Sequence, residues 1–218
     1  MPKIKMPRNS PSLDMTPMVD LAFLLVTFFI LTSQFRPEEP VVVDKPMSHS
    51  ETAAPNTDLM TITIDSAGRY FFDIDQGDIR RNMLVEMGKR YQLPPFTEEE
   101  LFEFGRMQTF GVPMNAIKGY LDVKEDKRKV ISDKLKGIPV DTAIVSTKNE
   151  LYNWIDCGRR MWFDKWGDSG DKRKKLRYAV KGDGNSDYKK VKAVIDIFQS
   201  DAIGVNNFNM VTDLDKGE

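Results

Sequence analysis

The sequence predicts an α+β protein: one N-terminal transmembrane helix followed by a small domain of order β-β-α-(helical insertion)-β-α-β. Three observations carry that expectation. Residues 21–35 form an uncharged, largely apolar run, LAFLLVTFFILTSQF. Met60-Thr61-Ile62-Thr63-Ile64 alternates with the period of a strand, and a turn and a second β-rich run follow. Strand, helix and strand patterns then return over residues 176–212.

Composition bounds the function classes. The 218 residues hold 32 Lys+Arg and 33 Asp+Glu, with 30% charged residues and a net charge of -1. Such polarity excludes a polytopic membrane protein. Near-neutrality excludes a global basic surface for nucleic acid, while local patches remain open. One cysteine rules out an internal disulfide framework. A single histidine, His49, removes nearly every histidine-based metal or triad mechanism. No constellation for a tethered enzyme is present, and neither a metal nor a cofactor is expected.

Between Arg8 and Arg36 the only charges are Asp14 and Asp20. The 15 residues of the apolar run reach roughly 22 Å as a helix, short of a hydrocarbon core of about 30 Å. Starting at Met15 gives 21 residues and roughly 31 Å, so a span over 15–35 must hold Asp20 inside it or at its inner edge. A cleaved signal peptide fits the basic start, but an acid in the apolar region and the poor site Leu31-Thr32-Ser33 argue against it. A buried helix of a soluble domain conflicts with a run apolar on every face except at Thr27. A single signal anchor is favoured. Lys3, Lys5 and Arg8 precede it, so the positive-inside bias puts a tail of residues 1–14 in the cytoplasm and residues 36–218 across the membrane.

Thr16 and Pro17 make a helix start, a hydroxyl cap followed by proline at the first helical position. Asp20 then lies about one turn in, and two readings stay open. It is a carboxylate favoured by the helix N-terminus and reaching the headgroups, or it is an intramembrane acid that relays protons. Thr27, seven residues on, shares its face, so the two can form a polar stripe along a protein interface.

The segment Leu13-Asp14-Met15-Thr16-Pro17-Met18-Val19-Asp20, continued by Leu21-Ala22-Phe23-Leu24-Leu25, resembles the ExbD/TolR family of inner-membrane motor proteins. Its members carry a short basic tail and then Thr-Pro-hydrophobic-hydrophobic-Asp at the head of their only membrane helix. The resemblance implies that Asp20 is the proton-carrying residue. It also implies a single-pass protein of the bacterial inner membrane with a periplasmic C-terminal domain, driven by the proton motive force. Its implied partners are membrane lipid, a second copy of itself, a ring of an ExbB-like multi-span protein and a TonB-like protein that opens outer-membrane transporters; nucleic acid is not among them. Other readings stay open: a TolR-like, gliding or secretion motor subunit, or a membrane-anchored periplasmic scaffold without proton coupling.

Residues 36–58 hold Pro37, Pro40, Pro46 and Pro55 among small polar residues, the composition of a flexible linker. Within it Val41-x-Val43-Asp44-x-Pro46 resembles the family's Val-x-Val-Asn-x-Pro segment, which implies a regulatory linker strand at Val41, Val43 and Pro46. Lys45 departs from that pattern by replacing an apolar residue. His49 reads as solvated.

The folded domain is expected over 59–218. A hairpin joins residues 60–64 to Arg69-Tyr70-Phe71-Phe72 through Ser66-Ala67-Gly68. The acidic stretch 73–78 reads as a loop using turns and caps, without a ligand set for a metal, and residues 79–87 read as a helix. Residues 176–181 read as a strand, and a helix carries Tyr188, Val191, Val194, Ile195 and Phe198 on one stripe. Residues 208–212 make the last strand. Asp183, Asn185 and Asp187 imitate a calcium loop, but Tyr188 and Val194 stand where its glycine and bidentate acid belong. This strand–Asp-x-x-x-Asp-Tyr–helix order resembles the second half of the family's periplasmic domain.

An insertion over about 92–175 separates the halves and reads as helical. Capping boxes are expected at Thr97-x-x-Glu100 and at Thr147-x-x-Glu150. After the second, Leu151, Trp154, Ile155, Gly158, Met161 and Trp162 recur at helical spacing. Such a stripe normally faces a core; the alternative is a partner-docking face built on Trp154, Trp162 and Trp166. Cys157 reads as a packing residue beside it. The run Lys172–Lys175 reads as a solvated face, with an acidic surface or cell-wall polymer as the weaker alternative.

Overall fold

The computed structural model describes residues 16–32, 43, 47–48, 57–123, 127–128, 131, 136–141, 148–167, 174–211 and 213–214. The chain divides into two compact units, Met1–Glu38 and Glu39–Glu218.

In the first unit, helix α1 covers Thr16–Thr32. Pro17 lies in its first turn, where a missing N–H costs no intrahelical bond. Its 17 residues reach about 25 Å, and no helix among the described residues is long and apolar enough to cross a membrane. Residue 15 and residues 33–35 of the expected span lie outside the described residues.

The second unit is mixed α+β around a five-stranded sheet. The expected hairpin forms β2 (Leu59–Ile64) and β3 (Tyr70–Ile74), after a two-residue β1 (Met47–Ser48). Its turn is fixed by Asp65, whose carboxylate accepts from the Arg69 backbone N–H at 2.8 Å and from its Nε at 2.6 Å. Gly68 takes the positive φ of 73° that the turn needs. Alternation puts Met60, Ile62 and Ile64 on the core side, opposite Ile74, Phe72 and Tyr70 respectively. The loop is shorter than expected, since β3 ends at Ile74 and α2 runs from Gly77 to Arg90.

β5 (Arg177–Gly182) lies parallel to β2, with Ile62 opposite Val180, so sequence-distant halves meet at the sheet centre. Helix α6 (Tyr188–Gln199) packs on these two strands and leads to β6 (Asn209–Val211), parallel to β5. The order β-β-α-(insertion)-β-α-β is therefore present. The stripe of α6 differs in detail: Val194, Ile197 and Phe198 are buried, while Tyr188, at its first position, is 71% exposed.

The insertion is helical but not only helical. It contributes α3 (Glu98–Arg106), β4 (Thr109–Phe110), a 3-10 turn at Met114–Ala116, α4 (Ile117–Leu121) and α5 (Glu150–Trp166). β4 joins the sheet edge beside β3, giving the order β4-β3-β2-β5-β6. The Thr97 capping box forms, with the Thr97 hydroxyl accepting from Glu100 N at 3.2 Å and Glu100 accepting from Thr97 N at 2.6 Å. The second cap differs from expectation. Asn149, not Thr147, caps α5 by accepting from Tyr152 N at 3.2 Å, and Glu150 instead accepts from the backbone N–H of Met114 at 2.9 Å.

Candidate functional site

Helix α1 carries one charged side chain, Asp20, among apolar neighbours. Every large hydrophobic residue from Met18 to Leu31 is exposed, on all faces of the helix. A surface this apolar belongs against lipid or other helices rather than water. Asp20 and Thr27 are seven residues apart and so share a face. The Thr27 hydroxyl donates to the carbonyls of Phe23 and Leu24, both at 2.9 Å, and Thr32 donates to Phe28 O at 2.7 Å. Both hydroxyls are thus satisfied within the helix. Asp20 is left as the one charged side chain on α1.

The other expected site residues fall elsewhere. Val43 is buried, while Val41 and Pro46 lie outside the described residues. Directly after Pro46, β1 pairs in parallel with a C-terminal β7 (Asp213–Leu214), Met47 opposite Asp213. At least part of the stretch expected to be linker is therefore fixed to the second unit.

Of the three tryptophans of the alternative docking face, Trp154 and Trp162 are buried and Trp166 is half-buried. Trp154 is fully buried against Phe72, Phe104 and Phe110, with ring centroids 6.3, 6.0 and 4.8 Å away. Trp162 is also buried. The stripe faces inward because Gly158 lets Met60 and Met83 approach the helix, where a Cβ would lie 2.9 and 3.0 Å from their methyl carbons. Trp166 is half-buried; its Nε1 donates to Gln76 Oε1 at 3.1 Å, and the ammoniums of Lys165 and Lys174 stand 5.1 and 4.6 Å from its ring. Cys157 is fully buried, and that burial pushes its thiol up to about 12.

Two acids of 73–78 form ion pairs, and the third, Asp75, accepts from the backbone N–H of Asp58 at 3.3 Å. Asp78 meets Lys165 at 2.6 Å, which holds its carboxyl below the usual range. Asp73 meets Arg80 at 3.2 Å, yet burial dominates and pushes it up to about 7. Asp183 accepts from Asn185 N at 2.9 Å, and Asp187 caps α6 by accepting from Lys189 N at 3.0 Å. Among the described residues no group of three or more His, Cys, Asp or Glu is placed to hold a metal.

Arg80 was not legible as a structural centre, because a charged helical residue reads as solvent-facing. It is buried and donates to Ile74 O at 2.6 Å and to Gly105 O through Nε at 3.2 Å and Nη2 at 3.0 Å. It thereby ties the first hairpin and α2 to the insertion.

No curated protein and no solved structure matches the chain. Residues 6–92 match the family described as biopolymer transport protein ExbD/TolR. The match takes in α1, β2, β3 and α2, and it stops at Gln92, where the insertion begins. Through this N-terminal segment, with its Thr-Pro helix start and the acid one turn beyond it, the chain is similar to the ExbD/TolR family.

Proposed function

We propose that the chain is a subunit of a proton-motive-force-driven inner-membrane motor, with Asp20 as its proton carrier. The observation that carries this reading is the isolation of Asp20, the single ionisable side chain on an otherwise apolar helix in the family-matched segment. Residues 15–35 serve as the anchor, the flanking residues supplying the length that α1 alone lacks. The basic tail lies in the cytoplasm and the α+β domain in the periplasm. The helix pairs with a second copy inside a ring of an ExbB-like multi-span protein. Protonation removes the charge of Asp20 and reverses its preference between wet and dry surroundings, which biases rotation or rocking of the helix. A membrane potential supplies roughly 2.3 kcal/mol per charge per 100 mV, enough for a step of that size. The periplasmic domain passes the motion to a TonB-like protein that energises outer-membrane transport. No covalent chemistry is involved.

Asp20→Asn tests the assignment, because it keeps the shape and removes the titration. In cells with the native partners, energised uptake is expected to be abolished at unchanged protein level. Uptake that persists in this variant overturns the proton-carrier role and leaves an anchored scaffold.

A further inference from the structure

The insertion also builds a cleft that the motor reading does not use. Arg159, Trp162 and Phe163 of α5 form one wall, and Lys174, Lys175 and Tyr178, leading into and along β5, form another. The loop after α6 closes it with Asn206 and Asn207, over a floor that includes buried Ile203 and Val205. A second depression sharing Lys175, Tyr178 and both asparagines continues past Arg177 to Asn209. The two together form one groove.

Its chemistry is one-sided. Four cations line the groove, and among the described residues neither depression is lined by an aspartate or glutamate, in a chain whose net charge is -1. Lys174 is compensated, since its Nζ lies 3.4 Å from the buried carboxylate of Asp58. Arg159 donates to Ala202 O at 3.2 Å and stands 5.7 Å over the Phe163 ring, contacts that orient its charge without neutralising it. Lys175 is exposed and Arg177 half-buried, and neither forms an ion pair among the described residues. Trp162 adds a donor. It is only 3% exposed, and its indole N–H has no hydrogen-bond partner among the described residues. An unpaired buried N–H at a cleft wall is an arrangement that an incoming acceptor relieves. The equally unpaired N–H of Trp154 belongs to an aromatic cluster elsewhere and does not bear on the groove.

We propose that this groove binds an acidic peptide segment of a partner protein, its carboxylates on Arg159, Lys175 and Arg177 and its apolar side chains on the floor. Charge complementarity selects the occupant. A neutral glycan fits less well, because sugar hydroxyls need acceptors and an open aromatic face. Among the described residues the groove supplies no carboxylate, Trp162 is buried in its wall, and the exposed Phe163 ring has the Arg159 guanidinium over it. The site draws on the insertion, on β5 and on the loop after α6, outside the segment matched to the family.

The test uses the full-length protein in detergent and a fluorescein-labelled peptide, Asp-Leu-Glu-Asp-Leu-Glu, read by anisotropy. Binding is expected to weaken at least tenfold in Lys175→Glu/Arg177→Glu and to fall steeply as salt rises. The remote charge reversal Lys89→Glu and the Asp20→Asn variant are expected to bind like the parent, which separates this site from the motor reading. The amide peptide Asn-Leu-Gln-Asn-Leu-Gln is expected not to bind. Equal affinity for the amide peptide, or undiminished binding by the double variant, overturns the proposal. Displacement of the acidic peptide by an oligosaccharide of hexuronic acid at lower concentration than by unlabelled peptide overturns it in favour of a glycan.

Discussion

Gly77 and Gly105 meet backbone to backbone. A Cβ on Gly77 would lie 2.7 Å from the Gly105 carbonyl oxygen, and one on Gly105 would lie 3.1 Å from that of Gly77. The same Gly105 oxygen accepts two bonds from Arg80. The start of α2, within the family-matched segment, and the end of α3, within the insertion, are thus locked at a separation that tolerates no side chain.

Gly77→Ala is expected to destabilise the α+β domain by about 1–2 kcal/mol. Overpacking against rigid backbone costs about 1–3 kcal/mol, and the helix propensity gained by alanine offsets part of it. Urea unfolding of the full chain in detergent measures this, and an unchanged midpoint would show that the two helices part freely.

Asp73 sets a pH dependence. Its carboxyl is raised from an ordinary 3.8 to about 7, chiefly by burial and against the attraction of Arg80. The native state therefore holds this proton more tightly than the unfolded chain. The stability it contributes is fully present below about pH 4 and is lost as pH rises through about 7. Asp73→Asn, fixed in the neutral form, is expected to match the parent at pH 4 and exceed it by about 1–2 kcal/mol at pH 8. The full shift would imply more, but 28% of the side chain meets solvent and screens the charge. Parent and variant denaturation curves at the two pH values decide the sign.

Asn149 is fully buried, caps α5 and also donates to Asp141 O at 3.5 Å. Asn149→Ala is expected to cost about 1–2 kcal/mol through the lost cap and an unsatisfied N–H. Thermal unfolding by circular dichroism reads the loss directly.

Cys157 is expected to resist thiol reagents while the domain is folded. Burial both blocks access and pushes the thiol up to about 12, so almost no thiolate exists at neutral pH. Reaction with a chromogenic disulfide should be negligible in buffer and complete in denaturant; rapid reaction in buffer would mean that α5 opens readily.

Where a pattern repeats locally, the fold was legible from the chain. Met60 to Ile64 alternates long enough to fix both strand and register, and the Thr97 box marks its helix start through two reciprocal bonds. Two residues of β4 carry no period at all; Thr109 and Phe110 become a strand only because β3 offers an edge. The cap moved from Thr147 to Asn149 because spacing alone does not tell which of two polar residues reaches the first free N–H. The tryptophan stripe was readable as a stripe, and its burial followed from Gly158 admitting two methionines. Asp20 was visible as the one charged residue of an apolar run. Arg80 was not, since its role depends on a carbonyl 25 residues away.

The parallel pairing of β2 with β5 gives the domain a mechanical grain. β2 is the first strand of the main sheet, central in it and bonded along its length to β3 on one side and to β5 on the other. Sheet hydrogen bonds run across the strands. A tug on the chain at Leu59, directed along β2, therefore loads both ladders in shear, and many bonds must yield together rather than one after another. Such a strand transmits tension where a peripheral one would peel.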